Sequence, residues 1–196
     1  MSNHQDYIAQ HVASHMEAIA HAASENGALI EAAGQALVDA LLSDGRILAC
    51  GTGTTNTLAQ YFCTCLLNRY EHDRPGLPAI NLGSDATTFA ALCKDNRFND
   101  TFSRPIRALG KATDVLLLLA DDGQKANLIQ AIQAAHDRGM RIIAVTREAE
   151  QDIHALLHPE DVEIVLPEAS TGIISEVMLV TLNTLCGVVE HMLFGH

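Results

Sequence analysis

Apolar residues recur with helical spacing from about residue 6 to residue 42: Ile8, Val12, Met16 and Ile19, then Leu29, Ile30, Leu37, Val38 and Leu41. Asn26-Gly27 interrupts that pattern, which predicts two helices or one bent helix. Ser43-Asp44-Gly45 then closes the region. The apolar run Ile47 to Cys50, the loop Gly51-Thr52-Gly53-Thr54-Thr55 and a helix-patterned segment to about Asn68 follow. A charged loop (Glu71 to Gly76) leads to a short strand, Pro78 to Leu82, and Ser84 or Asp85 is placed to cap a helix through about Cys93.

The next expected helix runs from about Asn99 to Leu109 and is ended by Gly110. Asp114 to Ala120 (DVLLLLA) is continuously apolar, the signature of a strand covered on both faces and hence of a parallel sheet. Asp121-Asp122-Gly123 turns the chain into a helix from about Gln124 to Arg138. A strand over 141–146, a helix over 148–157 and a strand over 162–166 continue the alternation. Thr171 to Phe194 reads as one long helix, too apolar all round to stand free in water. Five strands alternating with helices predict a doubly wound five-stranded parallel sheet in one domain over 1–196. Residues 1–43 form its helical extension, 44–170 the α/β core and 171–196 the long terminal helix.

The glycine loop has two readings. Strand, glycine loop, helix is the arrangement in which free backbone N–H groups and the positive end of a helix face an anion. The threonine hydroxyls would add donors. The same residues also suit a tight βα turn with a capping threonine.

Composition narrows the function. The 196 residues carry a formal net charge of −12, which speaks against direct binding to nucleic acid. No apolar run reaches the roughly 18 residues of a membrane span, and no secretory leader is indicated, so a cytoplasmic protein is expected. Five cysteines (Cys50, Cys63, Cys65, Cys93, Cys186) suit buried thiols in a reducing compartment rather than a disulfide scaffold. Cys63 and Cys65, two apart, would face different ways on a helix. Ten histidines are scattered, and His11 and His15, one turn apart, are expected to be solvated rather than to hold a metal.

The runs NRYEHDRPGLPAINL (Asn68 to Leu82) and KDNRFNDTFSRPIRALG (Lys94 to Gly110), with the DVLLLL strand and the GTGTT loop, resemble the sugar isomerase (SIS) domain of the phosphoheptose isomerase group. The similarity extends over roughly residues 5 to 195. The ending NTLCGVVEHMLFGH (Asn183 to His196) is most similar to the branch of non-catalytic relatives that associate with the replication initiator DnaA.

The resemblance implies an isomerase ancestry with its chemistry changed. The group's His and Glu fall on Tyr61 and Cys65, and its Gln and His on Ser175 and Asn183. A phenol with an ordinary pKa near 10 is a poor base at neutral pH, and an amide exchanges no proton. No catalytic apparatus, metal or other cofactor is therefore expected. The ligand pocket would comprise Gly51, Thr52, Gly53, Thr54, Thr55, Asp95, Asp121, Asp122, Gln124 and Lys125. Carboxylates at Asp121 and Asp122 would repel a phosphate by about 4 kcal/mol at 4 Å, against a gain of about 0.3–1 kcal/mol from the helix end. Sugar-phosphate binding is accordingly doubtful. The expected function is a homotetrameric scaffold for DnaA, with Leu193 and Phe194 touching the partner. The alternative is a phosphoheptose-type isomerase or a sugar-phosphate sensor.

Overall fold

The computed structural model describes residues 4–121, 126–148 and 151–195. Five parallel strands, β1 (Ile47–Gly51), β2 (Ala79–Asn81), β3 (Val115–Leu119), β4 (Arg141–Arg147) and β5 (Val162–Leu166), lie in the order β2-β1-β3-β4-β5. The helices are α1 (His4–Leu42), α2 (Thr54–Leu67), α3 (Ala86–Lys94), α4 (Ser103–Leu109), α5 (Ala126–Asp137), α6 (Gln151–His154) and α7 (Thr171–Phe194). A single 3-10 turn (Phe98–Asp100) precedes α4. The doubly wound expectation therefore holds.

The side-chain period of two divides each strand between two cores. Ile47, Ala49, Leu117, Leu119, Ile143 and Val145 face α1, α2 and α7. Leu48, Cys50, Leu116, Leu118, Ile142 and Ala144 face α4, α5 and α6. Every residue of β3 is buried, as its uninterrupted apolar run requires.

The chain differs from the expected pattern at Asn26-Gly27, where α1 continues unbroken. Asn26 is buried; its Nδ2 donates to Ala22 O one turn back and to Val165 O of β5, so the polar residue pins the helix to the sheet edge instead of ending it. Further along, a Cβ at Gly34 would stand 2.4 Å from Val188 Cγ1, which makes this glycine the point of close approach between α1 and α7. Asp85 provides the expected cap of α3, accepting from the N–H groups of Thr87 and Thr88.

By length and composition α7 is apolar enough to cross a membrane, an exception to the expectation from the sequence. Ile174, Val177, Met178, Leu182, Leu185 and Val189 instead lie in the core shared with α1 and α2. Its carboxylate Glu190 is buried with them. Glu190 accepts from the backbone N–H groups of Tyr70, Glu71 and His72 and from Arg74 Nε at 2.8 Å. The Arg74 guanidinium also donates to Leu66 O and Cys65 O, satisfying carbonyls at the end of α2.

Burial alone would raise the Glu190 pKa, but those four donors outweigh it and hold the carboxyl down from 4.5 to about 2. The unfolded chain therefore takes up this proton first, and the stability that Glu190 supplies above about pH 4.5 is lost as pH falls toward 2. That contribution is on the order of 3 kcal/mol. Glu190→Gln should flatten this acid limb in urea unfolding and lower stability at pH 7 by about 2–4 kcal/mol, because it leaves Arg74 buried without its counter-charge.

Candidate functional site

The loop between β1 and α2 opens at the carboxyl end of the sheet, where ligands of such folds bind. Its shape is set by Thr55, which is buried. Thr55 Oγ1 accepts from Thr52 N at 2.8 Å and donates to Thr52 O at 2.9 Å and to Leu119 O of β3 at 3.1 Å. A Cβ at Gly51 would meet Thr55 Oγ1 at 2.6 Å, so only glycine lets the loop fold back on this hydroxyl. Gly53 takes a φ of +57°.

Gly51, Thr52 and Gly53 line a crevice of about 320 Å³ together with Asn56, Gly83, Phe89, Phe98 and Asn127. Phe89 and Phe98 meet edge to face with ring centroids 6.1 Å apart and form an aromatic wall. Asn127 is 1% exposed in the first turn of α5. Neither its Oδ1 nor its Nδ2 has a partner among the described residues, and the same is true of Asn56 Oδ1. Buried amide atoms are nearly always paired, so three unpaired ones on one crevice mark a place for a polar ligand.

Thr54 is exposed at the start of α2, and Thr55 faces inward as a loop anchor. Asp95 lies exposed at the end of α3 and does not contribute to the crevice wall. Asp121 is half-buried, its carbonyl accepting from Arg147 Nη1. Asp122, Gln124 and Lys125 lie outside the described residues.

Tyr61, Cys65 and Asn183 converge as a second group. The Tyr61 hydroxyl donates to Asn183 Oδ1 at 2.8 Å, linking α2 to α7. Desolvation, then a hydrogen bond and charge interaction with Cys65, raise the Tyr61 pKa to about 12. Cys65 is buried beside Cys186, whose thiol is pushed up first by desolvation and then by its neighbour Cys65. Ser175 stands apart: its hydroxyl donates to Thr171 O, and it precedes Asn183 by eight residues, roughly 12 Å along the helix. A protonated phenol and an amide are not zinc donors, which leaves Cys65 as one zinc-type side chain among the three, too few for a site. Leu193 and Phe194 are half-buried and pack against the core beside α1. At the other end, His15 is not solvated as expected but buried, with its Nδ1 against Glu176.

An SIS-domain family model matches residues 7–147. The chain belongs to the SIS-domain family. Within it, the chain is 42% identical over 191 residues to a phosphoheptose isomerase of Chromohalobacter salexigens, covering 97% of each. It is 45% identical over 168 residues to one of Colwellia psychrerythraea, covering 86% of each. Among solved structures, a phosphoheptose isomerase from Francisella tularensis superposes with a TM-score of 0.91 at 30% identity, over 96% of this chain and 99% of that one. The enzyme from Neisseria gonorrhoeae gives 0.87 at 31%, over 96% and 99%.

These relatives correct the expected function of this SIS domain. A non-catalytic scaffold for DnaA was expected from the chain's ending, whereas the similarity to phosphoheptose isomerases extends over nearly the whole length. The residues that the sequence reading overlooked are Asn56, Gly83, Phe89, Phe98 and Asn127. Asn56 was within reach of that reading, because it directly follows the glycine loop; Asn127 was not, since only the fold brings the start of α5 beside β1.

Replacing Thr55 by valine keeps the shape and removes the anchor. Stability should fall by about 1–3 kcal/mol in urea unfolding, while Thr55→Ser stays within about 1 kcal/mol of the parent.

Proposed function

We propose that this chain is a phosphosugar isomerase of the phosphoheptose type, taking a sugar phosphate in the β1–α2 crevice. The observation that carries the reading is the set of buried amide atoms there with no partner among the described residues, Asn127 Oδ1 and Nδ2 with Oδ1 of the half-buried Asn56, which suit the hydroxyl groups of a sugar. The glycine loop and the start of α2 offer backbone N–H groups to the phosphate. The names of the full-length relatives supply the substrate class.

Moving a carbonyl along a sugar requires a proton to leave one carbon and return to its neighbour, with negative charge gathering on an enediol oxygen in between. Tyr61, protonated, suits stabilisation of that oxygen once its one hydroxyl proton turns from Asn183 Oδ1 to the substrate. Cys65, one helical turn from Tyr61 on α2, is the side chain we assign to relaying the proton. A sugar-phosphate sensor is the second reading. It is favoured by one observation, that Tyr61 and Asn183 satisfy each other and leave no carboxylate or imidazole in their place.

Sedoheptulose 7-phosphate separates the two. At 100 times its dissociation constant it should add about 2.7 kcal/mol and raise Tm by several degrees. Asn127→Leu should abolish that shift without loss of stability, since it removes a buried unpaired amide. Turnover in a coupled assay that falls at least tenfold in Cys65→Ser supports the isomerase. A melting shift without turnover supports the sensor, and no shift at millimolar ligand refutes both.

We place the protein in the cytoplasm, in keeping with its five free thiols, and as a symmetric homotetramer. Supporting the assembly, Ile8, Val12 and Met16 repeat every four residues on the first half of α1, are 59%, 51% and 66% exposed, and form an apolar stripe left uncovered by the described residues. Light scattering should give four times the 21.1 kDa chain mass, and Ile8→Asp with Val12→Asp should lower it.

A further inference from the structure

We propose that the chain binds a divalent transition-metal ion of the zinc and nickel class through His136, His158 and Asp161, at the pole of the sheet opposite the crevice. His136 lies in the last turn of α5, and the other two residues belong to the loop that feeds β5. One donor atom from each lies within 4.8 Å of the others. Bonds of about 2.0–2.2 Å to zinc put tetrahedral ligands roughly 3.5 Å apart, so separations near 4.8 Å must close by about an ångström while the His136–Asp161 pair, at 2.8 Å, opens.

Two of the three ligands are already held. Asp161 has a side chain only 1% exposed and His136 one only 15% exposed, with His136 Nε2 at 2.8 Å from Asp161 Oδ2. The carboxylate is oriented by the N–H of Ile142 on Oδ1 and the N–H of His158 on Oδ2, the kind of outer hydrogen bonding that fixes a metal ligand. His158 is the movable member. Its ring stacks on His136 at 3.6 Å and 8°, and because an ion lies in the plane of each imidazole that binds it, one of the parallel rings has to turn. The His158 side chain is 51% exposed and free to do so. Glu160, with Oε1 3.7 Å from His158 Nδ1, offers an oxygen as the fourth ligand.

Two imidazoles with carboxylate oxygens form a borderline donor set, which favours zinc or nickel over magnesium or calcium. The ion takes the place of the hydrogen between His136 Nε2 and Asp161, and that proton passes to Nδ1 or to solvent. Since Asp161 receives the N–H of Ile142 at the amino end of β4, the ion lies away from the crevice. It would clip the end of α5 to the entry of the edge strand β5.

The test is calorimetric titration of the chelator-stripped full chain with zinc chloride, repeated with nickel sulfate, beside thermal melts. One ion per chain with micromolar affinity and a rise in Tm are expected. His158→Ala and His136→Gln should each weaken binding at least about tenfold. The metal-free His158→Ala protein should melt with the parent, which separates lost ligation from lost folding. His11→Ala with His15→Ala, and Cys65→Ser, should leave the affinity unchanged. Zinc binding that survives both His136→Gln and His158→Ala, or no binding at all, overturns the proposal.

Discussion

A single buried ion pair, Glu190 with Arg74, ties the last helix of this SIS domain to the end of α2. Both groups are almost fully enclosed, with side chains 3% and 1% exposed. A charge in that position is tolerable only when every hydrogen-bonding site around it is used. The backbone of residues 70–72 surrounds the carboxylate, and the guanidinium takes the carbonyls of Cys65 and Leu66. The same residues that neutralise the charge therefore fix where α2 ends and how the following loop lies on α7. Tyr61 and Cys65 stand one turn apart on α2, and Asn183 about two turns before Glu190 on α7. Their meeting is a consequence of this clamp.

Much of the architecture was legible because the local and global requirements agree. The β3 run could only be a strand covered on both faces, and each boundary of β3, β4 and β5 falls within a residue or two of its expected place. The exception, Asn26-Gly27, misled for a physical reason. An asparagine is a helix breaker when its side chain competes for local backbone, but here its amide serves both Ala22 O and Val165 O, and the second partner is 139 residues away in the chain. Asn127 escaped for the same reason. Its value to the site comes from β1 and α5 being brought together, and no spacing along the chain records that.

The Tyr61 locus shows how a substituted site can remain structured. Where the resemblance implies two imidazoles, phenol and amide stand instead; they hold no charge near neutrality, but they leave a donor facing an acceptor at 2.8 Å. A neutral pair of this kind contributes about 1 kcal/mol to stability, so the position is kept shut by hydrogen bonding where the resemblance implies a metal. Read alone, those residues favour a protein without chemistry. The crevice argues in the opposite direction, since leaving three amide atoms of Asn56 and Asn127 buried and unpaired costs about 1–3 kcal/mol each. A fold rarely carries such a cost without a ligand to recover it.

The two poles of the sheet divide these roles on topological grounds. At the carboxyl ends of parallel strands the chain leaves each strand for a helix, so loop N–H groups and helix starts collect there, and the crevice with Gly51, Asn56 and Asn127 follows from that geometry. At the amino ends the chain returns from helix to strand, and what has to be satisfied are the N–H groups around the start of each strand. Asp114 does this for β1 by accepting from Arg46 N, and Asp161 does it for β4 by accepting from Ile142 N. Carboxylates are thus placed at this pole for structural reasons. One of them, Asp161, has two imidazoles beside it, and that neighbourhood turns a strand-end anchor into a set of metal donors.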